Sequence, residues 1–314
     1  MRSAFALLSP LVLAAACVQA PADDTALQRG DLAFASGNLD EALAEYRLAA
    51  RAERPEAEVL ARVAHAYTLD GKVDEAAEFY RRAVAADASW SSQAVSDLMG
   101  LAEDAQAGND RFRMASAVEA AINIEPGLGL EGVALPLARH HFENGEFGRA
   151  LPLYQRALAD ASDSVPEIVF EIAQAHEEIG DCKGALLFFE QFREQVRPWE
   201  RGEVDWYIGN CSLQMAIGLR GSEVVNANVL LDALSAVDRT LEMGEPRNLQ
   251  GRAWFERGEI LVELGRCDDA ITSFRSAIEA EGNPQGALAT RAQERMDDLR
   301  FRSDALRRLQ RDGC

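Results

Sequence analysis

The chain has 314 residues, and 52 Asp and Glu against 32 Lys and Arg give it a formal net charge of −20. A negative average field repels a phosphate backbone, so we expect no binding to nucleic acid. The hydrophobic share of 48% and the charged share of 27% are those of a globular protein and exclude wholesale disorder. The length fits one large repeat array or two domains.

The chain begins with a segment that has the features of an export signal. Arg2 precedes an apolar run from Ala4 to Ala16, which is too short to serve as a permanent membrane span. The small residues just before Cys17 resemble the bacterial lipobox, although Ala14 stands where that motif prefers Leu. The resemblance implies removal of residues 1–16 and lipidation of the cysteine.

This resemblance also implies where the mature protein is located. A lipidated Cys17 would anchor the chain, with residues 17–22 as a short tether. Val18 stands where an Asp would resemble an inner-membrane retention signal, so the periplasmic face of the outer membrane is expected. The alternative is ordinary cleavage after Ala20, which would release a soluble periplasmic protein.

A spaced pattern then recurs through the rest of the chain. It consists of a glycine, an alanine five residues later and an aromatic residue nine residues later, and independent placement of these residue types would give only about 0.2 occurrences. Five occur: Gly37-Ala42-Tyr46, Gly71-Ala76-Tyr80, Gly145-Ala150-Tyr154, Gly180-Ala185-Phe189 and Gly265-Ala270-Phe274. The first interval, from Gly37 to Gly71, is 34 residues long.

This pattern resembles the second half of a tetratricopeptide repeat, a helix-turn-helix unit of the same length. Glycine suits the turn because it adopts positive φ without a Cβ clash. Alanine lets two helices cross closely, and the aromatic ring fills the space beside the crossing. Asn38 and Asp181 follow two of the glycines, where short polar side chains cap the next helix.

The resemblance implies an all-α fold, a right-handed α-solenoid of about seven repeats over residues 23–284. Residues 285–314 are rich in polar residues and are expected to form a capping helix and the C-terminus. The expected repeats lie near residues 23–56, 57–90, 95–126, 131–165, 166–200, 202–246 and 251–284.

Two of these repeats depart from the pattern. The repeat at residues 95–126 carries Asn109-Asp110 in place of the glycine turn. In the repeat at residues 202–246, the second helix is expected around Ala233 to Leu241, about twelve residues late. The segment from Gly218 to Glu223 is interpreted as an inserted loop.

Four cysteines remain after Cys17, and an even number in an exported chain favours disulfides. Cys182 and Cys211 lie in adjacent repeats, which stack in this family, so we predict a bridge between them. A second predicted bridge joins Cys267, at the same repeat position as Cys182, to the terminal Cys314. The alternative is that all four thiols stay free.

The resemblance also implies a ligand groove, because the first helices of tetratricopeptide repeats line the concave side. Three aromatic residues at equivalent positions, Phe170, Trp206 and Phe255, could form a track for a peptide, or could simply pack between helices. A net negative charge favours basic or neutral partner segments. The predicted protein-binding groove comprises Phe34, His65, Arg139, Phe142, Phe170, Gln174, Trp206, Asn210, Phe255 and Glu259.

Catalytic, metal and cofactor sites are not expected. The chain has no Gly-rich phosphate loop, no GxSxG elbow and no HExxH motif. Adjacent His140 and His141 point about 100° apart on a helix and cannot easily share an ion. A catalytic role would require these histidines and Glu177 to converge in one pocket.

These observations favour a non-enzymatic scaffold for protein–protein interactions, exported and lipid-anchored, that assists the assembly of envelope or outer-membrane complexes. The alternative function is a soluble periplasmic adaptor or regulator of a cell-wall enzyme.

Overall fold

The computed structural model describes residues 25–161 and 165–308, and in this part of the chain it contains fifteen α-helices and no β-strand. The predicted export signal, Cys17 and Cys314 lie outside the described residues. The described part of the chain divides into two compact units, with the division between Leu128 and Gly129. Each unit consists of helical hairpins stacked in chain order, so the all-α repeat architecture is confirmed.

The first unit holds three hairpins. Its helices are α1 (Ala26–Ala35), α2 (Leu39–Ala49), α3 (Ala57–Leu69), α4 (Val73–Ala86), α5 (Ser91–Ala107) and α6 (Arg111–Ile124). The core lies between the two helices of each hairpin and between successive hairpins, and includes Tyr46, Leu60, Tyr80 and Leu98.

The second unit holds four hairpins and a final single helix. The hairpin helices are α7 (Ala134–Glu143), α8 (Phe147–Asp160), α9 (Pro166–Glu178), α10 (Cys182–Gln195), α11 (Gly202–Arg220), α12 (Ala227–Met243), α13 (Gln250–Glu263) and α14 (Cys267–Glu281). The last helix, α15 (Ala287–Arg308), packs on α13 and α14 and buries Ala292, Met296 and Leu299.

The turns between the two helices of the five hairpins that carry the repeated pattern have the conformation that the sequence predicts. The five glycines of the repeated pattern all have positive φ, between 72° and 80°. Asn109 takes this role in α5–α6 with a φ of 57°, and Asp110 then caps α6 by accepting a hydrogen bond from Arg113 N at 3.0 Å. Asparagine adopts this conformation more readily than most residues, so the missing glycine does not disrupt the hairpin.

The sixth repeat differs from the prediction. The second helix begins at Ala227 and not near Ala233, and the connection is limited to residues 221–226. Most of the inserted residues therefore lengthen the two helices of the hairpin, and few of them lie in the loop. Gly218 is part of α11, because the low helix propensity of one glycine is outweighed by the neighbouring residues Ala216, Ile217 and Leu219.

Candidate functional site

The predicted groove residues all lie on the first helices of the hairpins. Phe34 and His65 lie on α1 and α3 of the first unit, and the other eight lie on α7, α9, α11 and α13 of the second unit. We call the surface that these residues form within each unit its first-helix face.

In the first unit, this face is built around a histidine and a carboxylate. His65 lies beside Phe34, with ring centroids 5.8 Å apart, and its Nδ1 is 2.6 Å from Asp97 Oδ2. Tyr80 donates a hydrogen bond to the same carboxylate. The hydrogen bond to Asp97 raises the pKa of His65, although burial opposes it. This network joins α3, α4 and α5.

A cleft of about 320 Å³ opens next to Phe34 and His65. Arg62 lies in this cleft and forms ion pairs with Asp31 and with Glu58, the latter at 2.5 Å. Tyr46 donates a hydrogen bond to Asp31 at 2.9 Å, and burial together with this bond raises the pKa of Tyr46 to about 12. The charged groups of the cleft are therefore already paired with one another.

In the second unit, two predicted groove residues connect neighbouring first helices. Arg139 on α7 binds Glu171 on α9 through two guanidinium nitrogens, with Nη2 2.8 Å from Oε1. Gln174 on α9 donates to the hydroxyl of Tyr207 on α11 at 3.2 Å. These side chains hold adjacent repeats together, which the prediction of a binding groove did not anticipate.

Glu259, another predicted groove residue, also connects two helices. Glu259 on α13 accepts a hydrogen bond from Arg295 on α15 at 2.6 Å. Phe255 is only 4% exposed, packs against Phe274 and is covered by the guanidinium of Arg291. Phe255 therefore offers no ring to a ligand.

The other phenylalanines of the predicted groove also pack within the repeats. Phe170 contacts Phe189, Phe192 and Tyr207, with ring centroids 4.7 to 5.7 Å apart. Phe142 is half-buried and packs edge-on against Phe147 and Tyr154.

Trp206 is the predicted groove residue whose ring is well exposed. Its side chain is 42% exposed and lies edge-on to Tyr207, with ring centroids 5.2 Å apart. Asn210, one turn later on α11, is half-buried. The predicted aromatic track of Phe170, Trp206 and Phe255 is corrected to Trp206 alone, because an aromatic residue at the equivalent position of its neighbours fills the space between helices.

The two adjacent histidines have different surroundings. His141 is 3% exposed, and its Nδ1 is 2.6 Å from Glu146 Oε2. His140 is half-buried and its Nε2 lies 3.1 Å from Asn144 Nδ2. His141 is therefore a buried histidine paired with a carboxylate, and His140 lies nearer the surface.

Cys182 and Cys211 are brought together, as predicted, but as free thiols that share a hydrogen bond and not as a disulfide. This bond lowers the pKa of Cys182, whereas the bond and burial raise that of Cys211. Cys267 is not a free thiol, and Cys314 lies outside the described residues, so the pairing of Cys267 with Cys314 stays a prediction.

The described residues contain neither a metal-binding cluster nor a membrane-spanning helix. Over residues 25–161 and 165–308, no group of three or more His, Cys, Asp and Glu side chains is arranged to hold a metal ion. None of the helices in the same ranges combines the length and the apolar character that crossing a membrane requires.

Stacked helical hairpins with glycine turns and an alanine–aromatic crossing define a helical repeat protein. The family model of the tetratricopeptide repeat matches residues 27–90, 135–196 and 220–293, more than half of the sequence. The chain therefore belongs to the tetratricopeptide repeat family, and this membership indicates a scaffold for protein–protein interactions. No curated protein matches the sequence.

Several solved structures are similar to the chain in fold. One is a chain of the Naa15/Naa10 complex bound to HypK-THB, with 13% identity, a TM-score of 0.43, and coverage of 87% of this chain and 38% of that one. This chain thus spans little more than a third of that relative.

Two shorter proteins are similar over nearly their whole length. The C-terminal part of a TPR repeat-containing protein from Cytophaga hutchinsonii has 14% identity and a TM-score of 0.35, with coverage of 84% of this chain and 97% of that one. YrrB, described as a TPR protein with an unusual peptide-binding site, has 16% identity and a TM-score of 0.35, with coverage of 69% and 99%.

Proposed function

We propose that the protein is a non-enzymatic scaffold that holds a segment of another protein against the first-helix face of its second unit. The observation that carries the proposal is Trp206, a large aromatic side chain that is 42% exposed on a face where its neighbours are buried or paired. Tryptophan is among the residues that contribute most to protein–protein binding, because it buries a large area with little loss of side-chain entropy.

The partner segment is neutral or basic. The chain carries a formal net charge of −20, which attracts basic segments and repels acidic ones. On the first-helix face of the second unit, Arg139 is paired with Glu171 at 2.8 Å, and Glu259 is paired with Arg295 of α15 at 2.6 Å. Neither arginine is therefore left to recruit an acidic partner. The rate at which a basic partner associates is expected to fall as the salt concentration rises.

The proposed location is the periplasmic face of the outer membrane, with Cys17 as the lipid anchor and residues 17–22 as a tether. The apolar run before Cys17 and the small residues next to it support this part of the proposal. A scaffold at that location could assist the assembly of envelope or outer-membrane complexes without chemistry of its own.

Intact-mass measurement of the mature protein tests the anchor. A chain that begins at Cys17 and carries acyl groups supports it, because those groups add a defined mass to the N-terminal peptide. A mature chain that begins at Pro21 without acyl groups contradicts it and leaves a soluble periplasmic protein.

Substitution of the exposed tryptophan tests the binding face. Trp206→Ala is expected to weaken capture of the partner from envelope extracts by about tenfold or more, without lowering the melting temperature by more than a few degrees. The matched control is Trp199→Ala, since Trp199 is 75% exposed but lies in the connection between α10 and α11. Equal capture by both variants would contradict the assignment.

A further inference from the structure

The inserted residues of the sixth repeat make its hairpin longer than its neighbours. Measured from the equivalent aromatic residues Phe170, Trp206 and Phe255, α9 and α13 both end eight residues later, whereas α11 continues to Arg220, fourteen residues later. Six additional residues lengthen a helix by about 9 Å. The end of the α11–α12 hairpin therefore extends past the helices on either side.

The extension is supported on one side only. Towards α13, Arg220 forms ion pairs with Glu256 at 2.6 Å and with Glu263 at 3.4 Å. Towards α10, the hairpin leaves a cavity of about 890 Å³ between α10, α11 and α12, entirely within the second unit. A cavity of this size is in the range of binding sites and is much larger than a packing defect.

The cavity has an apolar floor and an acidic rim. Leu186, Met215, Leu219 and Ala236 form the apolar part. Four acidic side chains line it against two basic ones, and they are Glu190, Asp232, Asp238 and Glu242 against Lys183 and Arg239.

Some charged side chains of the rim form ion pairs within the described part of the chain, and Asp232 does not. Arg239 is paired with both Glu190 and Glu242, and Asp238 is paired with Arg257 at 2.6 Å. Asp232 is exposed and forms no ion pair with a described residue. The rim thus keeps an excess of negative charge that a basic group could neutralise.

A buried hydroxyl in the wall of the cavity also has no partner within the chain. Ser212 is 1% exposed, and its Oγ makes no hydrogen bond to any described residue. A buried hydroxyl without a partner costs free energy, which a ligand that supplies a donor or acceptor would recover. This observation is independent of the acidic rim and points to an occupant.

The cavity lies on the other side of α11 from the first-helix face. Met215 in its floor follows Trp206 by nine residues, about two and a half turns, so the two side chains point in opposite directions. A ligand in the cavity and a ligand on Trp206 would therefore not compete for the same surface.

We propose that this cavity is a second protein-binding site, and that it takes a short amphipathic helix with apolar anchors and basic flanks. The lining residues extend from Lys183 to Glu190 on α10 and from Asp232 to Glu242 on α12, so the cavity runs along the helices for two to three turns. A helix placed lengthwise would present its apolar stripe to the floor and its cations to the rim.

An extended peptide fits this cavity less well than a helix. The walls are α-helices whose backbone groups bond to one another, so they offer no sheet edge to the backbone of a bound strand. A helical segment satisfies its own backbone hydrogen bonds and needs only side-chain contacts. Charge complementarity then selects a basic segment over an acidic one.

Fluorescence anisotropy with synthetic peptides on the full chain tests this site. The probe is a labelled fourteen-residue helix with leucines in one stripe and arginines beside them, measured near physiological salt. One control peptide replaces each arginine with glutamate, and another carries a central proline that breaks the helix. The site predicts saturable binding of the first peptide and little binding of either control.

Variants of the chain locate the binding. Asp232→Lys and Ser235→Phe both change exposed lining positions. Each is expected to weaken binding of the basic helical peptide by at least about tenfold. The matched control Glu279→Lys makes the same charge change on the exposed surface of α14 and is expected to have little effect. Ser235→Phe separates occlusion of the cavity from the change of charge.

Two results would overturn the site. One is equal weakening by Asp232→Lys and Glu279→Lys, which would mean that only the general charge of the surface attracts the peptide. The other is equal binding of the helical and the proline-containing peptides. Trp206→Ala is expected to leave this binding unchanged, so a failure of the first-helix face and a failure of this cavity give different results.

Discussion

At the scale of single residues, one position outside the repeated pattern requires glycine because two segments of backbone approach closely there. Gly209 on α11 faces the connection after α12, and a Cβ at this position would lie 1.8 Å from Glu245 O. The five turn glycines could be predicted because they recur at fixed spacing. Gly209 could not, since its contact depends on the path of a connection that is peculiar to this repeat.

Gly209→Ala is expected to lower the free energy of unfolding by about 1–3 kcal/mol, because the added methyl group meets backbone that cannot rotate away. Urea unfolding followed by circular dichroism measures the change. Gly218→Ala on the same helix is the control, since a Cβ there meets nothing within 4 Å, and it is expected to be neutral or to stabilise by about 0.5–1 kcal/mol. Equal destabilisation by both variants would contradict this explanation.

The two adjacent thiols define a second residue-level expectation. Because the hydrogen bond from Cys211 lowers the pKa of Cys182, the thiolate that attacks an oxidant forms first at Cys182. With oxidised glutathione, we expect the Cys182 thiolate to form a mixed disulfide and to release one molecule of reduced glutathione. Cys211 then attacks the Cys182 sulfur and releases the second glutathione, which leaves the Cys182–Cys211 bridge.

The bridge is expected to raise the free energy of unfolding by about 3–4 kcal/mol on the chain-entropy model. Peptide mapping without reductant detects the bridge, and Cys211→Ser serves as the control that stops at the mixed disulfide. Two alkylatable thiols at Cys182 and Cys211 after oxidation would contradict the expectation.

At the scale of helices, polar pairs join several neighbouring first helices within each unit at about the repeat spacing. His65 meets Asp97 after 32 residues, Arg139 meets Glu171 after 32, and Gln174 meets Tyr207 after 33. Residues at such spacing occupy equivalent positions on stacked helices. A search for complementary side chains one repeat apart could have found these pairs, and their role in joining repeats, from the sequence.

The His65–Asp97 pair predicts a pH dependence of stability in the first unit. The folded state raises the pKa of His65 above its ordinary value of 6.5, so the pair contributes its full stabilisation below pH 6.5 and loses it as pH rises through the folded pKa. Net hydrogen bonding lowers the pKa of Asp97 despite its burial, so that carboxylate stays charged throughout this window.

His65→Gln is therefore expected to destabilise the protein more at about pH 5.5 than at about pH 8.5, by up to about 1 kcal/mol because the pair is partly exposed. Urea unfolding at the two pH values measures the difference. His140→Gln in the second unit controls for the general effect of removing a histidine. A destabilisation by His65→Gln that is the same at both pH values would show that the pair is not charged.

At the scale of the whole molecule, the repeat period determined the fold class but not the binding surface. Spacing of glycine, alanine and aromatic residues identifies hairpins because each residue has a geometric role that recurs. The binding surface depends on which first-helix side chains remain exposed, and Phe255 and Trp206 occupy equivalent positions with 4% and 42% exposure. That difference arises from neighbours such as Arg291, which covers Phe255, and no repeated pattern encodes it.

The central claim is that the first-helix face of the second unit holds another polypeptide, and site-specific photo-crosslinking in intact cells tests it most directly. A photoreactive amino acid at Trp206 is expected to give a discrete adduct with one partner protein, while the same amino acid at the exposed Glu279 gives none. The adduct should weaken when salt is raised before irradiation, because the chain is acidic. Absence of an adduct at Trp206, or the same set of adducts at both positions, would contradict the claim.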